Sequence, residues 1–567
     1  MRQARRIALL TAAFTLLLST RAWAQGETTS AILGQVTDST SAAVPAAAVT
    51  VINRDTGLKR SARTDDAGRF NFPQLLPGAY TVRAESQGFE PAQAENVFAG
   101  LGQKQTVNLT LRVAQAKQTI DVTSEAAILN PDNANTTTTL SAPALEDLPN
   151  PGGDLTYPLQ FAPGALINTA GSGNDFIGGT NGYGNVEFNG LPALSNGYIV
   201  DGLETNDPLT NLNSGLSTNL VLGLNSISEV TVNTLSYSVD QGRYGASQVN
   251  YVTKSGTNQF HGNLYALWNG AALNASDYFL NATSGNSKPG SVVNHFGGGL
   301  GGPIVHDKLF FFFDSEWVRI ALPIFSTVTV PTAAFQQYVL QQLPLGGTDS
   351  VTGSHYAPSR QQVPFYQKMF SLYPNASGTP LAVLGCPFNS DGTSAAGAPP
   401  NGNGCASRKG ISHSSDDHEQ VQTARIDYNI GRNDTTWFRF QADTGLQAAY
   451  TDPIDPLFNS ISSQPLYSFA AGYVHVFSQN LVNYFNPAFS WYESLFAPSD
   501  FPRTLAAFPI VLQGIGANAP FTTIGGLDHT WVQGRRATRF FINDNLALEP
   551  RSARASLRHQ YPNLPSE

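Results

Sequence analysis

Along most of the chain, apolar and polar residues alternate in short runs broken by Gly, Pro, Asn and Asp. That is the period-two pattern of β-strands rather than the 3.6-residue period of helices. Between 31 and 113 such runs fall at 32–37, 48–53, 69–72, 79–84 and 106–111, each close to an ordinary strand length. Turn residues separate them. Asp65-Asp66-Ala67-Gly68 precedes Arg69-Phe70-Asn71-Phe72, and Leu76-Pro77-Gly78 precedes Ala79-Tyr80-Thr81-Val82, so Gly or Pro stands where a turn needs special dihedrals. A small β-sandwich is predicted over 28–113. From 126 to 257 glycine and asparagine are dense, with short strands predicted at 184–188, 197–200, 227–232 and 247–253.

Beyond 257 the alternating runs lengthen. Over 421–430, Ala424, Ile426, Tyr428 and Ile430 share one face while Thr423, Arg425, Asp427 and Asn429 share the other. After a turn at 431–435, Phe438 and Phe440 oppose Arg439 and Gln441. A membrane strand needs this division, apolar toward lipid and polar toward the lumen, although a soluble sheet with one buried face alternates in the same way. The segments 466–477 and 481–491, joined at 478–480, are aromatic but less regular. Tyr473, His475 and Phe477 share a face there, as residues of an interfacial aromatic girdle would. The stretches 331–415 and 497–530, rich in Pro, Gly, Ser and Asn, are expected to be long extracellular loops.

The amino terminus has Arg2, Arg5 and Arg6, an apolar run over 7–18, and the small-residue site Ala22-Trp23-Ala24. This is the order of a secretory signal peptide over 1–24, too short in its apolar part to span a bilayer. Only 13% of residues are charged, 10% are aromatic, and Gly (52) and Pro (35) abound, which reinforces β-structure with many turns. The formal charge of -9 is spread along the chain, so no phosphate-tracking basic face is expected and nucleic acid is not a partner. Cys386 and Cys405 lie in a Gly/Pro/Asn-rich stretch. In an oxidising compartment a loop disulfide is the favoured reading, with two free thiols or half of a metal site as alternatives. His413, Asp416, Asp417, His418 and Glu419 could ligate a cation, yet they lack regular ligand spacing and read as a solvated loop before a strand. No nucleophile elbow, phosphate loop, paired catalytic carboxylates or zinc motif is present, so no catalytic residue and no cofactor are expected.

Several of these segments resemble known families. Gly34-Gln35-Val36-Thr37-Asp38, Asp65-Asp66-Ala67-Gly68-Arg69-Phe70, Leu76 through Val82 and Gly88-Phe89 resemble the carboxypeptidase regulatory-like domain, which implies a transthyretin-like, non-catalytic accessory module. After a linker at 114–117, Thr119, Ile120, Asp121, Val122, Thr123 and Ser124 resemble the TonB box of outer-membrane receptors. An exposed extended segment suits strand addition by a partner, and an ordinary first strand of the next domain is the alternative. Phe188-Asn189-Gly190, Asn196 through Gly202, Ile227-Ser228-Glu229-Val230, Gly242-Arg243-Tyr244-Gly245 and Val252 through Thr257 are similar to the plug of TonB-dependent receptors, in particular the Oar-like group. Phe260 through Tyr265 and Asn294 through Val305, followed by Asp307-Lys308-Leu309-Phe310-Phe311-Phe312-Phe313, closely resemble the first strands of Oar-like barrels.

The predicted fold is therefore mainly β: signal peptide 1–24, transthyretin-like β-sandwich 28–113, TonB-box segment and α+β plug domain 114–257, and an incomplete transmembrane antiparallel β-barrel over 258–548. The resemblance implies an outer-membrane receptor or transporter for an unidentified ligand, with outer-membrane lipid around it and the inner-membrane TonB complex as partner. A structural or adhesive envelope protein whose sandwich binds carbohydrate is the alternative. About 308 residues (567 − 259) follow the plug-like region, whereas plugged transporter barrels have about 22 strands of roughly 10 residues. About eight strands are expected, the last over 539–546. The arginine-rich stretch 549–567 reads as an aberrant tail, from a frameshift or premature stop. Unpaired strand edges in lipid cost several kcal/mol per exposed backbone group, so these residues alone are expected not to assemble a functional barrel. Electrophoresis of purified outer membranes checks this: no heat-modifiable, protease-resistant monomer should appear, and a stable monomeric barrel would contradict it.

Overall fold

The computed structural model describes residues 29–113, 136–148, 155–167, 186–206, 223–234, 244–273, 275, 290, 292–374, 376–450, 452, 454–478, 480–507, 521–522 and 533–548. The signal peptide, the TonB-box segment and the tail fall outside them.

The first unit is a two-sheet sandwich. One sheet runs Arg69–Leu75, Ser30–Asp38, Leu109–Val113, Phe89–Glu90, with Lys104–Thr106 also paired to Ser30–Asp38; the other runs Lys59–Arg63, Ala48–Asn53, Gly78–Glu85, Ala92–Ala99. Alternate residues of both sheets, among them Ile32, Val36, Val49, Val51, Phe72, Val82 and Leu111, interdigitate in one apolar core, as aligned sheet packing requires. The strands Lys59–Arg63 and Ala92–Ala99 were not predicted. Each is the edge of its sheet, where one side is free of the ladder and charged or small residues are tolerated.

The second unit is a mixed sheet in the order Thr136–Ser141, Ile227–Thr234, Ser247–Thr253, Asn196–Val200, Leu203–Glu204, with the short helix Ala142–Asp147 beside it. Tyr198, Val230, Val232 and Val249 fill its core. Two Asx-Gly pairs take positive φ at both residues: Asn189 (53°) and Gly190 (76°), Asp201 (48°) and Gly202 (83°). This is the signature of type I′ turns, which Asn-Gly and Asp-Gly favour. The second pair reverses the chain between Val200 and Leu203 and so puts Asp201 at the tip of a tight hairpin.

The third unit is a ten-stranded antiparallel sheet. Its long members are His261–Gly270, Val292–Val305, Leu309–Pro331, Ala406–Asn429, Asp434–Tyr450, Leu466–Ser478, Leu481–Pro498 and Gln533–Leu548, each paired with its successor in sequence. The predicted faces hold. Thr423, Arg425, Asp427 and Arg439 are buried, whereas Ile426, Ile430, Phe438 and Phe440 are exposed on the outer face. Outer aromatics pair across strands, Phe296 with Trp317 at 6.3 Å and Tyr467 with Trp491 at 5.8 Å. The blurred face of Leu466–Ser478 also has a cause. Near a short turn, Tyr473 hydroxyl and His475 Nδ1 each lie 2.6 Å from Asp434 Oδ1, so polar groups occupy outer positions at the sheet's rim.

Two expectations for this unit need correction. The region 331–415 is not one loop. Leu309–Pro331 and Ala406–Asn429 stay paired over their whole length, far beyond the 9–11 residues that cross a bilayer. Their hairpin ends in a folded lobe containing helices Ala333–Gln342 and Val363–Leu372, around a core that includes Val328, Val330, Met369 and Phe370. Likewise, 413–419 does not precede a strand but lies within Ala406–Asn429. Outside the bilayer neither face of a strand has to be apolar, so hydropathy gives no period there.

The three units form one assembly. The turns at 306–308 and 430–433 are short, and the sandwich sits against that end. Asn258 N–H donates to Asp55 carbonyl at 2.9 Å, while Arg60, Leu75 and Tyr80 share a small cavity with Arg432, Asn433 and Val474. The lobe stands at the opposite end. Short turns are periplasmic in outer-membrane barrels and long loops extracellular, which puts the sandwich on the periplasmic side. Among the described residues the large sheet is open: His261–Gly270 pairs only with Val292–Val305, and Gln533–Leu548 only with Leu481–Pro498.

Candidate functional site

The mixed sheet lies against the inward face of the large one, and the contacts are polar. Arg425 and Arg439 are register partners on neighbouring strands, both pointing inward and both buried. Like charges directly opposite each other repel, and a buried guanidinium without a partner is costly. The hairpin tip supplies the counter-charge. Asp201 Oδ2 lies 2.8 Å from Arg439 Nε, and Oδ1 lies 3.7 Å from Arg425 Nη1. The carboxylate is held in place by its own domain, since Thr253 N–H donates to Oδ1 at 3.0 Å and Thr253 hydroxyl to Oδ2 at 2.8 Å.

Arg425 is further fixed by Asp427 (Nη2 to Oδ1, 2.9 Å), by the Trp437 ring 4.8 Å away, and by donation to Thr253 carbonyl at 3.2 Å. Arg439 donates to Gln441 Oε1 at 2.8 Å and Ser468 Oγ at 3.2 Å. The result is a charge clamp at which two strands of the wall grip one turn of the inner domain.

Further ties encircle it. Glu316 accepts from Gly223 N–H at 2.8 Å and faces His295 Nε2 at 2.6 Å, and Asn225 donates to Asp314. On the other flank Asn543 donates to Gly202 carbonyl at 3.4 Å, and Arg539 donates to Asn206 carbonyl. Close packing also demands glycine at Gly256, where a Cβ would fall 2.3 Å from Phe311 carbonyl oxygen. The inner domain thus occupies the concave side of the wall, held at polar points rather than by one continuous apolar core. Interiors of membrane barrels are polar for the same reason: the apolar residues are committed to lipid.

The other sequence candidates are elsewhere. Cys386 and Cys405, both buried, are joined within the lobe with Sγ atoms 2.12 Å apart. In the strand containing 413–419, Asp417 and Glu419 are buried and His418 is exposed, so alternation sends these neighbours to opposite faces. Among the described residues no group of three His, Cys, Asp or Glu is arranged to hold a metal ion. Asp201, Arg439 and Glu229 were not singled out from sequence as functional residues. For Arg439 the available signal was an ionisable residue at an inward position of a membrane strand, which is costly and so has a purpose; Asp201 and Glu229, on the inner sheet, carry no such signal.

A family model of the outer membrane beta barrel domain matches residues 252–550, more than half of the 567. The chain belongs to the outer-membrane β-barrel family. It is accordingly a protein of the bacterial outer membrane, and residues 31–112 match the carboxypeptidase regulatory-like domain. A curated relative, the TonB-dependent transporter Oar of Myxococcus xanthus, is 32% identical over 317 residues; the match covers 52% of this chain but only 27% of the relative. Among solved structures, the outer membrane transporter YddB from Escherichia coli aligns with TM-score 0.45 and 11% identity over 73% of this chain and 45% of its own. The siderophore receptor PirA from Acinetobacter baumannii aligns with TM-score 0.40 and 11% identity over 72% and 45%.

Where this barrel protein's sandwich meets its inner domain, Glu229 accepts the N–H of Leu101 at 2.9 Å. Burial pushes its carboxyl up to about 7, against the lowering influence of the Leu101 N–H and the Thr231 hydroxyl. An acid whose pKa is raised in the folded state contributes stability that is complete below the unfolded value and is lost as pH rises through the folded one. The folded state around Glu229 is therefore expected to lose stability as pH rises from 4.5 to about 7, and Glu229→Gln should flatten the dependence. Hydrogen exchange around Leu101 as a function of pH checks this, and equal pH dependence in both proteins would contradict it.

Proposed function

We propose that the chain is a TonB-dependent outer-membrane receptor of the Oar-like kind, taking up an unidentified ligand, in which the inner domain acts as the plug. The observation that carries this reading is the clamp: a hairpin tip of a separate folded domain is inserted between two inward arginines of a membrane sheet. An anchor sheet has no need to bury three charges against an inner domain. A receptor does, because an occluding domain must be stable in the lumen yet removable. Polar contacts serve both ends, since water can replace each hydrogen bond when the domain moves, whereas an apolar core would resist separation.

The position of the sandwich argues against the adhesive alternative. A carbohydrate-binding module that attaches the cell to its surroundings belongs at the long-loop end, and the sandwich sits at the short-turn end beside 430–433. Under the receptor reading, 119–124 is the segment that the inner-membrane TonB protein grips by strand addition. It joins the sandwich's last strand, Leu109–Val113, to the inner domain's first, Thr136–Ser141.

Deleting 119–124 is expected to abolish co-purification of TonB with the receptor from cross-linked cells while leaving the amount of receptor in the cell envelope unchanged. Undiminished capture of TonB by the deletion variant would overturn the energised mechanism.

A further inference from the structure

The sandwich is not tethered loosely beneath the barrel. It touches both other units through contacts of three kinds. Leu101 N–H donates to Glu229 at 2.9 Å, and Gln103 side-chain amide donates to Thr139 hydroxyl at 2.7 Å, both on strands of the inner sheet. Asn258, at the junction of inner domain and wall, donates its N–H to Asp55 carbonyl at 2.9 Å. Leu76, at the tip of a sandwich turn, packs into an apolar cluster formed by Leu203 of the inner domain and Trp437, Ala470 and Ala488 of the wall. Beneath these contacts lies a partly open cavity of about 520 Å³, lined by Tyr80 and Leu101 from the sandwich, Asp201 and Lys254 from the inner domain, and Arg425 and Trp437 from the wall.

From this geometry we propose that the sandwich is a releasable cap, which closes the periplasmic face of the inner domain and must undock before that face opens. The inference rests on the plug reading and adds a regulatory contact to it. The two halves of the contact differ in kind. One apolar tip, Leu76, supplies non-directional attachment, while the hydrogen bonds of Leu101 and Gln103 fix the sandwich over the edge strand Thr136–Ser141 and its neighbour Ile227–Thr234. That edge strand is also where the inner domain begins. The cap therefore sits over the part of the inner sheet that would move first when the chain ahead of it is drawn toward the periplasm. A few hydrogen bonds and one leucine make a contact of modest strength, suited to reversible release.

The test uses the full chain in isolated cell envelopes. Ser255, a half-buried residue lining this cavity, is replaced by cysteine and exposed to a polymer-linked maleimide too bulky to pass the narrow opening while the sandwich is docked. Slow labelling is expected as the cap opens and closes. Leu76→Asp should speed labelling by about tenfold, the effect of removing one half-buried leucine from the contact. Bridging Gln103→Cys to Thr139→Cys with a short bis-maleimide before adding the polymer should stop labelling. Labelling that neither change affects, or that continues at full rate in the bridged protein, would overturn the proposal. Since Leu76→Asp could unfold the sandwich instead of undocking it, the bridged protein, which retains every native contact of Leu76, decides the matter independently. Both arms run in cells lacking TonB, so failure of the TonB mechanism leaves their outcome unchanged and the two ideas fail separately.

Discussion

Arg439 is fully buried, with no exposed surface, and directly across the ladder from it stands a second inward arginine, Arg425. Such a pair cannot persist in a membrane barrel's interior without carboxylates: Arg425 has Asp427 of its own strand at 2.9 Å, but the carboxylate 2.8 Å from Arg439 comes from another domain. The position of the inner sheet follows from this requirement. Asp201 reaches the arginines because Asp-Gly forms a tight turn with both φ angles positive, and because Thr253 on the neighbouring strand orients both its oxygens. The remaining ties, from Glu316 to Gly223 and from Asn543 to Gly202, fix its tilt about that point.

The bilayer imposes the complementary constraint. Lipid takes the apolar face of every spanning strand, so the wall holds what lies inside chiefly through polar side chains, with a small apolar patch of Trp437, Ala470 and Ala488 around Leu203. The two ends of the structure then take different roles. Beyond the loop-side interface the strands continue into water and support a lobe closed by Cys386–Cys405. At the short-turn end the sandwich rests against both inner domain and wall, through Leu101, Gln103, Asp55 and Leu76.

Much of this was legible in the sequence, and the exceptions have physical causes. Local rules located the sandwich strands over 32–37, 48–53, 69–72 and 79–84, the turns at 65–68 and 76–78, and the two faces of the hairpin around 431–435, since each depends on residues near in sequence. Edge strands such as Lys59–Arg63 were missed because an edge needs little apolar surface. The extension of Ala406–Asn429 through His413 to Glu419 was missed because a strand outside lipid loses its hydropathy period. Thr136–Ser141, four threonines and a leucine before a serine, has no alternation and is a strand only because Ile227–Thr234 offers it a ladder. The clamp was half visible: Arg425 stood out as lumen-facing, but its pairing with Asp201, more than two hundred residues away, is a tertiary fact that no local pattern encodes.

The claim on which the account turns is that the clamp, more than general packing, holds the inner domain in the lumen. Hydrogen exchange across Ser247–Thr253 in the full chain tests it directly, with Asp201→Asn and Arg439→Gln made singly and together. Each single change removes the nearest counter-charge of a buried group and should loosen the strand by up to about 3–5 kcal/mol. The double change, which removes both charges, should cost clearly less than the sum of the two. Small, additive effects would contradict the account.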